Sequence, residues 1–499
     1  MNKKFFDPVL CAVIGAVIAY YGFSSFFKPA FVLISVTVAG GLIAACLSLA
    51  DTLSLLSGYN CCAVKTIKIK LFLWYFTVGF SLGAAVLCAS FRGNAVKPGL
   101  DYDKITGITG ILLDDPRVNS SKRGVAIVRL THSYGENGVR VSAKGKTPVF
   151  FSEEAVLHLK EFGRGCVIFT EGRFVSHSSP YGALFRASST HIIKPSDSLN
   201  RQRTKARLLL VTIFSDKRWG GLALALLIGI KDNLDMELAA RYRNAGCSYI
   251  LALSGMHLAI ISSIITFMLR KPFGIKAAAL IGAMFIIIYI YIVGAQPSLA
   301  RAGIAYIIGS IAILHSLNIS AVQVISLSFL TQILIDPSSG KTISFILSYL
   351  ALAGILFIGK PLSGLLRGRI PPMLAEPLSV SLGAFIATMA VSASFFGNLR
   401  PAGILAGLIM VPLTTVFMII SIIFIIVHFT FPLLCRPLDT ALSILYAVLE
   451  KITNTAGKFP ALTVSNTAVS VIILSILPFA IIYFCNMRLK VRSYVERFD

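Results

Sequence analysis

Residues Arg243 to Ser263 read RNAGCSYILALSGMHLAIISS. The stretch begins charged and ends as an apolar run that belongs in a bilayer. Within that run stand Ser254, Gly255 and His257. A polar group at bilayer depth costs free energy unless it faces a partner or a wet cavity, so such groups mark functional positions. Ser254 and His257 are three residues apart, which puts both on one face of a helix, with Gly255 thinning the helix between them. Two readings stay open. In one the pair lines a polar path. In the other the serine bonds back to its own i−4 carbonyl and the histidine packs against a neighbouring helix.

Outward from this stretch the chain is membrane-like. Of 499 residues 56% are hydrophobic and only 14% charged, too little polar surface for a soluble globule. Spans are predicted near 8–23, 30–50 and 69–91, and again near 275–293, 299–317, 321–335, 343–359, 378–396, 402–428 and 469–485. Ala441–Lys451 reads as an interfacial amphipathic helix. The basic, apolar N-terminus reads as an uncleaved first span, since no small-x-small cleavage site follows it. Lys3 and Lys4, with Lys65, Lys68 and Lys70, belong on the cytoplasmic side, which puts the chain after Phe91 outside. Nine cysteines are scattered without a CxxC pair and read as small hydrophobes.

From Arg92 to Lys194 membrane runs give way to short alternating segments, ITGITGILL, VAIVRL, GVRVSAKG, CVIFTEGRF and LFRASSTHII. A capped amphipathic helix, Ser152 to Lys160, is predicted between the third and fourth strand groups. Five strands with one inserted helix suit a small barrel of the OB type. Lys and Arg total 46 against 22 Asp and Glu, a net charge of +24. Part of the surplus falls in this domain and in the connector behind it, on the side where the positive-inside rule does not ask for it. Arg140, Lys144, Lys146, Arg173 and Arg186, interleaved with Phe150, Phe151 and Tyr181, have the mixture of a single-strand groove. Arg201, Arg203, Lys205 and Arg207 continue the basic run. A solvated or headgroup-facing surface is the plain alternative.

The run Ala225 to Ile260 closely resembles the signature of the ComEC family of competence proteins. That pattern has an apolar "ALLLG" segment, an acidic amphipathic helix, and then "G-L-S-H-L-L-A-L-S-G-L-H". Leu226, Leu227 and Gly229 fit the first part, and Gly246, Ser248, Leu251, Ala252, Ser254, Gly255 and His257 fit the last. The likeness continues through Pro297, Arg301 and Ala302, through Asp336-Pro337, and through Phe345, Leu347, Ser348 and Tyr349. Three positions depart from the family: Tyr249 stands for its histidine, Ile346 for its glutamine, and Gly407 for an asparagine before a Pro-Leu pair. The resemblance implies an OB-like domain ahead of the core. It also implies DNA uptake, with Ser254, Gly255, His257, Arg301 and Ser348 as candidate channel-lining residues. Arg301 has two readings: snorkelling to the headgroups, or pairing inward with a phosphate.

Ser339-Gly340-Lys341-Thr342 imitates the end of a phosphate-binding loop, but the glycine required with four residues between it and the Gly-Lys pair is Ile335. The nucleophile-elbow pattern would need glycine at Ala252, and no metal-ligand cluster stands out. Enzyme activity, a metal and a cofactor are therefore not expected. The resemblance further implies a short form, without the metallo-β-lactamase-like domain that many relatives carry.

The fold class expected is a polytopic α-helical membrane protein of about 10–12 spans with an inserted small all-β OB-like soluble domain. Its divisions are 1–91, three spans; 92–194, the β-domain; 195–221, a basic connector; 222–431, the transmembrane core; and 432–499, an interfacial helix, last span and basic tail. The function expected is inward conduction of single-stranded DNA through the inner membrane in natural transformation. A transporter of an anionic envelope precursor or lipid, and a scaffold without transport, are the alternatives. Expected partners are single-stranded DNA, membrane lipids and a second copy of the chain. A cytoplasmic motor or strand-binding protein joins them, because each charge moved inward against 100 mV costs about 2.3 kcal/mol.

Overall fold

The computed structural model describes residues 98–118, 124–136, 138–179, 182–252, 255–294, 296–367 and 369–463, with scattered positions ahead of them (10, 12–17, 20, 78, 79, 83 and 96). The three N-terminal spans with their lysines, the last span and basic tail, Tyr181 and Ser254 itself lie outside the described residues. The chain divides into two units, Met1–Thr204 with Ile304–Lys341, and Lys205–Gly303 with Thr342–Asp499. Each is described by itself.

The first unit holds the β-domain. Its strands are β1 (Ile105–Leu112), β2 (Arg117–Val118), β3 (Gly124–Gly135), β4 (Arg140–Ser142), β5 (Lys146–Phe151), β6 (Val167–Ser179) and β7 (Gly182–Lys194). Alternation of apolar and polar residues dictates which side of each strand is buried. In β5, Thr147, Val149 and Phe151 turn inward while Lys146, Pro148 and Phe150 turn out. The five long strands pair in a ring: β1 with β3, β3 with β5, β5 with β7, β7 with β6, and β6 back to β1. Only the β5–β7 step is parallel. Closing the ring removes exposed edges and encloses a core of Ile108, Leu112, Val128, Val149, Ile168 and Phe185. Helix α1 (Glu153–Phe162) joins β5 to β6, and the Ser152 hydroxyl caps it by accepting from the Ala155 N–H. Cys166 lies in this core, and burial pushes its thiol up to about 11.

The α-helices that follow are α2 (Ser198–Ser215), α3 (Gly220–Leu227), α4 (Met236–Asn244), α5 (Ser248–Leu251), α6 (Gly255–Val293), α7 (Pro297–Leu314), α8 (Ala321–Ile335), α9 (Ile343–Leu366), α10 (Pro372–Phe396), α11 (Ala402–Thr430) and α12 (Cys435–Ala456). Among the described residues six helices are long and apolar enough to cross a membrane: α6, α7, α9, α10, α11 and α12 with the turn before it. Helix α9 carries a π turn, Ile355–Gly359, where Gly354 meets the backbone of Gly383 in α10.

Helix α6 is two passages, not one. Its 39 residues would reach about 58 Å as a straight rod, nearly twice the hydrocarbon thickness. Gly274 breaks it with φ 78° and ψ 168°, a conformation open to glycine, next to Pro272. Gly255, at one end, packs on Arg301 and Ala302, while Ile286 and Ile290, near the other, pack on Gly303. Both ends therefore reach the same turn of α7, so α6 folds back at the RKPFGIK segment.

Helices α11 and α12 form a second hairpin. Asn398–Leu399, ahead of α11, pair with Leu462–Thr463, beyond α12, and a short turn at Pro432–Leu434 joins the other ends. Where the sequence suggests a helix lying in the membrane surface at Ala441–Lys451, the fold has a 22-residue helix running back beside α11. The expectation came from its one-sided apolar pattern. That face packs on α11 and α4.

Candidate functional site

The signature stretch is shaped by close approaches. Gly246 has φ +73°, and a Cβ on Gly403 of α11 would stand 2.5 Å from the Gly246 carbonyl oxygen, so the two backbones touch. Arg400 Nη1 donates to the Asn244 carbonyl at 2.6 Å, fastening the end of α4 to the start of α11. The short helix α5 follows, and Tyr249 on it reaches α11 with its hydroxyl against Gly407. Two of the three departures from the family pattern thus meet in space. A tyrosine here occupies the room that any side chain on residue 407 would need.

Beyond Leu253 and Ser254 the chain enters α6 at Gly255. Arg301 Nη2 sits where a Cβ on Gly255 would begin, 2.7 Å away, and its guanidinium lies 5.8 Å from the centroid of the Tyr349 ring. The Arg301 side chain turns to the signature glycine and to an aromatic face. His257 is fully buried, with no exposed surface. The fold therefore brings Gly255 and Arg301 together and adds Tyr349, one residue past Ser348, which is half-buried.

On the β-domain the candidate cations separate into three groups. Arg173 and Arg186 are direct cross-strand partners on β6 and β7, both exposed, and Phe150 of β5 is the partner of Arg186 on the other side. Lys146 pairs with Arg129 of β3, a cation outside the sequence prediction. Register alone could have found it, since Arg129 and Lys146 meet only once the β3–β5 pairing is known. Like charges set directly opposite one another destabilise a sheet, and both such pairs stand on the outer surface of the ring. Arg140 Nη2 donates to the His132 ring at 3.1 Å, and Lys144 is exposed beside it. Glu171 and Asp103 line the same hollow as the Arg173/Arg186 pair, and the Ser189 hydroxyl donates to Glu171 at 2.9 Å.

Two members of the basic connector have other employment. Arg203 is 4% exposed, and its fork donates to both oxygens of Asp115 at 2.9 and 2.7 Å, tying α2 to the loop after β1. Arg207 donates to the carbonyls of Ile228, Ile292 and Val293, at 3.4, 3.1 and 2.9 Å, where α3 and α6 end. Those carbonyls carry the negative ends of two helix dipoles. Both guanidiniums are engaged by acceptors within the protein. Lys205 is exposed, and Arg201, also exposed, donates through Nε to the Ser196 carbonyl at 2.9 Å.

The Ser339–Thr342 segment serves as a helix connection. Asp336 accepts from the Ser338 N–H at 3.1 Å, and Thr342 caps α9 by accepting from the Phe345 N–H. Among the described residues no cluster of His, Cys, Asp or Glu could hold a metal ion.

These features define a multi-pass helical membrane protein that carries a separate β-domain. The family model described as "Competence protein" matches residues 226–490, just over half of the chain. The chain belongs to that family, and it is a multi-pass protein of the inner membrane. Over 203 residues it is 24% identical to the ComE operon protein 3 of Bacillus subtilis (strain 168), covering 39% of this chain and 25% of that protein. Over 236 residues it is 25% identical to an uncharacterised protein of Aquifex aeolicus (strain VF5), covering 47% of this chain and 54% of that one. These alignments thus span about a quarter and about half of the relatives' lengths.

Proposed function

We propose that the chain conducts single-stranded DNA inward across the inner membrane in transformation, with the β-domain receiving the strand. Membership of the competence family supports a role in DNA uptake. The observation that carries the finer reading is the pair of like-charged couples, Arg129 with Lys146 and Arg173 with Arg186, with Phe150 on the same outer surface. Cations at such a spacing take phosphates, and the half-exposed Phe150 ring offers a face on which bases of any sequence can stack. The ring order 1-3-5-7-6, its single parallel step, and the helix between β5 and β6 support reading the domain as an OB-type barrel, a fold that binds oligonucleotides on the face of its second and third barrel strands and the loops beside it. In the core, Arg301 at Gly255 would meet the strand's phosphates. Inward movement against the membrane potential calls for a cytoplasmic motor, a strand-binding protein or a compensating cation flux.

The test is anisotropy of a labelled single-stranded oligonucleotide with the full chain in lipid nanodiscs. Binding should weaken steeply as salt rises, because phosphate contacts release counterions. Reversing Arg129 and Lys146, or Arg173 and Arg186, to glutamate should remove most of it. An affinity for an uncharged polymer equal to that for DNA sinks the reading. In cells, deletion of the gene should leave uptake into the periplasm intact and abolish arrival in the cytoplasm.

A further inference from the structure

Helix α12 carries two carboxylates, and each takes a partner from the turn at 217–219. Asp439 accepts from Lys217 Nζ at 3.1 Å and from Trp219 Nε1 at 2.7 Å. Glu450 accepts from Arg218 Nη2 at 3.1 Å and from Arg241 Nη1 at 2.6 Å. The Arg218 guanidinium also lies 5.7 Å from the Tyr446 ring. Asp439 and Glu450 are eleven residues apart, about 16 Å along the helix, so the charged strip covers roughly half of α12.

This strip lies at membrane depth. Helix α12 retraces α11 from the turn at Pro432–Leu434 back to the paired strands at 398–399 and 462–463. The α11 helix is 29 residues long and thoroughly apolar, so its partner passes through the same thickness. The turn holding Lys217 and Arg218 is anchored inside that thickness by Trp219, which is fully buried against Phe214, Phe417 and Phe424.

The charges are only partly covered by protein. The Arg218 side chain is 76% exposed, and those of Lys217 and Asp439 are 34% and 32% exposed. Ionised groups at that depth do not face acyl chains; they face water or a partner. The rest of the α12 surface divides accordingly. Ile444 and Val448 are exposed and apolar, as a lipid-facing side requires, whereas Ser443 is exposed on the charged side, between Asp439 and Glu450.

We propose that the groove between the 217–219 turn, α4 and α12 is water-filled and forms the stretch of the path where the strand's phosphates exchange partners with carboxylates. Lys217, Arg218 and Arg241 turn from Asp439 and Glu450 to the phosphodiester oxygens, then back as the strand moves on. The phosphate role rests on the strand-conducting reading above; the wetness of the groove does not. Carboxylates that compete for the same cations keep each phosphate contact weak, which conduction needs, since a site that binds too tightly does not release.

The experiment uses proteoliposomes of a cysteine-depleted chain with single cysteines at Ser443→Cys, Ile444→Cys or Val448→Cys, exposed to a membrane-impermeant cationic thiosulfonate. Ser443→Cys should react at least tenfold faster than the other two, and an external single-stranded oligonucleotide should slow it severalfold. Equal rates at the three positions overturn the wet groove. Fast reaction without protection, in a chain that still binds the oligonucleotide, overturns the phosphate role and leaves the groove. A chain that binds no oligonucleotide at all overturns the strand-conducting reading instead. Should the cysteine-depleted chain fail to insert, hydroxyl-radical footprinting of the unaltered protein reads the same strip. Oxidation at Lys217 and Arg218 but not at Ile444 and Val448 supports the groove, and the reverse pattern overturns it.

Discussion

Gly255→Ala tests whether the signature glycine seats Arg301 or merely lets two helices pack. An added Cβ would stand 2.7 Å from Arg301 Nη2 and 3.3 Å from the Ala302 Cβ. The guanidinium would have to leave its place, and as the free end of a long side chain it can. The stability cost should stay near 1 kcal/mol, at the low end for an overpacked contact. Gly403→Ala makes a clash of similar size that cannot relax, because the atoms met at 2.5 and 2.9 Å are the carbonyl oxygen and carbon of Gly246. That substitution should cost about 3 kcal/mol. Both variants would be expressed in a transformable host lacking its own copy. Membrane abundance and the melting temperature in detergent would be scored beside transformation frequency. Gly255→Ala should keep near-normal abundance and melting while losing most transformation, and Gly403→Ala should lose all three together. If Gly255→Ala transforms normally, or melts as early as Gly403→Ala, the seating of Arg301 has no part in passage.

Four further outcomes can be checked. Gly407→Asn should reduce the amount of inserted protein by clashing with Tyr249, and adding Tyr249→His should restore it, since the two positions share one space. Asp115→Ala strands a buried arginine, so the melting of the full chain should show the β-domain destabilised by about 3 kcal/mol. A reporter fused at Gly274 should lie in the cytoplasm, held there by Arg270, Lys271 and Lys276, and one at Gly145 on the opposite side. The Cys166 thiol is raised from 9.0 to about 11 in the fold, so it is protonated in both states below pH 9. As pH rises from there the unfolded chain loses that proton first, and β-domain stability should fall between about pH 9 and pH 11. Replacing Cys166 with alanine should flatten that slope in a pH-dependent melting series.

Much of this protein is written in local pattern. Apolar runs of bilayer length identify spans because a backbone in lipid must bond within its own helix. Period-two alternation over residues 105–194 identifies strands because successive side chains of a strand face opposite sides. The signature is legible for a similar reason: polar residues at bilayer depth are costly enough to stand out. Pairing over long separations is not local, and there the sequence is silent. That Arg129 meets Lys146, and Arg173 meets Arg186, follows from strand register, which only the closed ring sets. A basic run from Arg201 to Arg207 looks uniform along the chain. Tertiary structure divides it, because a helix turns successive residues to different sides: Arg203 to Asp115, Arg207 to the ends of α3 and α6, and Lys205 to solvent. The two turns that make hairpins of α6 and of α11 with α12 were likewise decided by contacts between residues far apart in sequence. An apolar face on α12 does not name what it meets, and only the tertiary structure sets α11 against it.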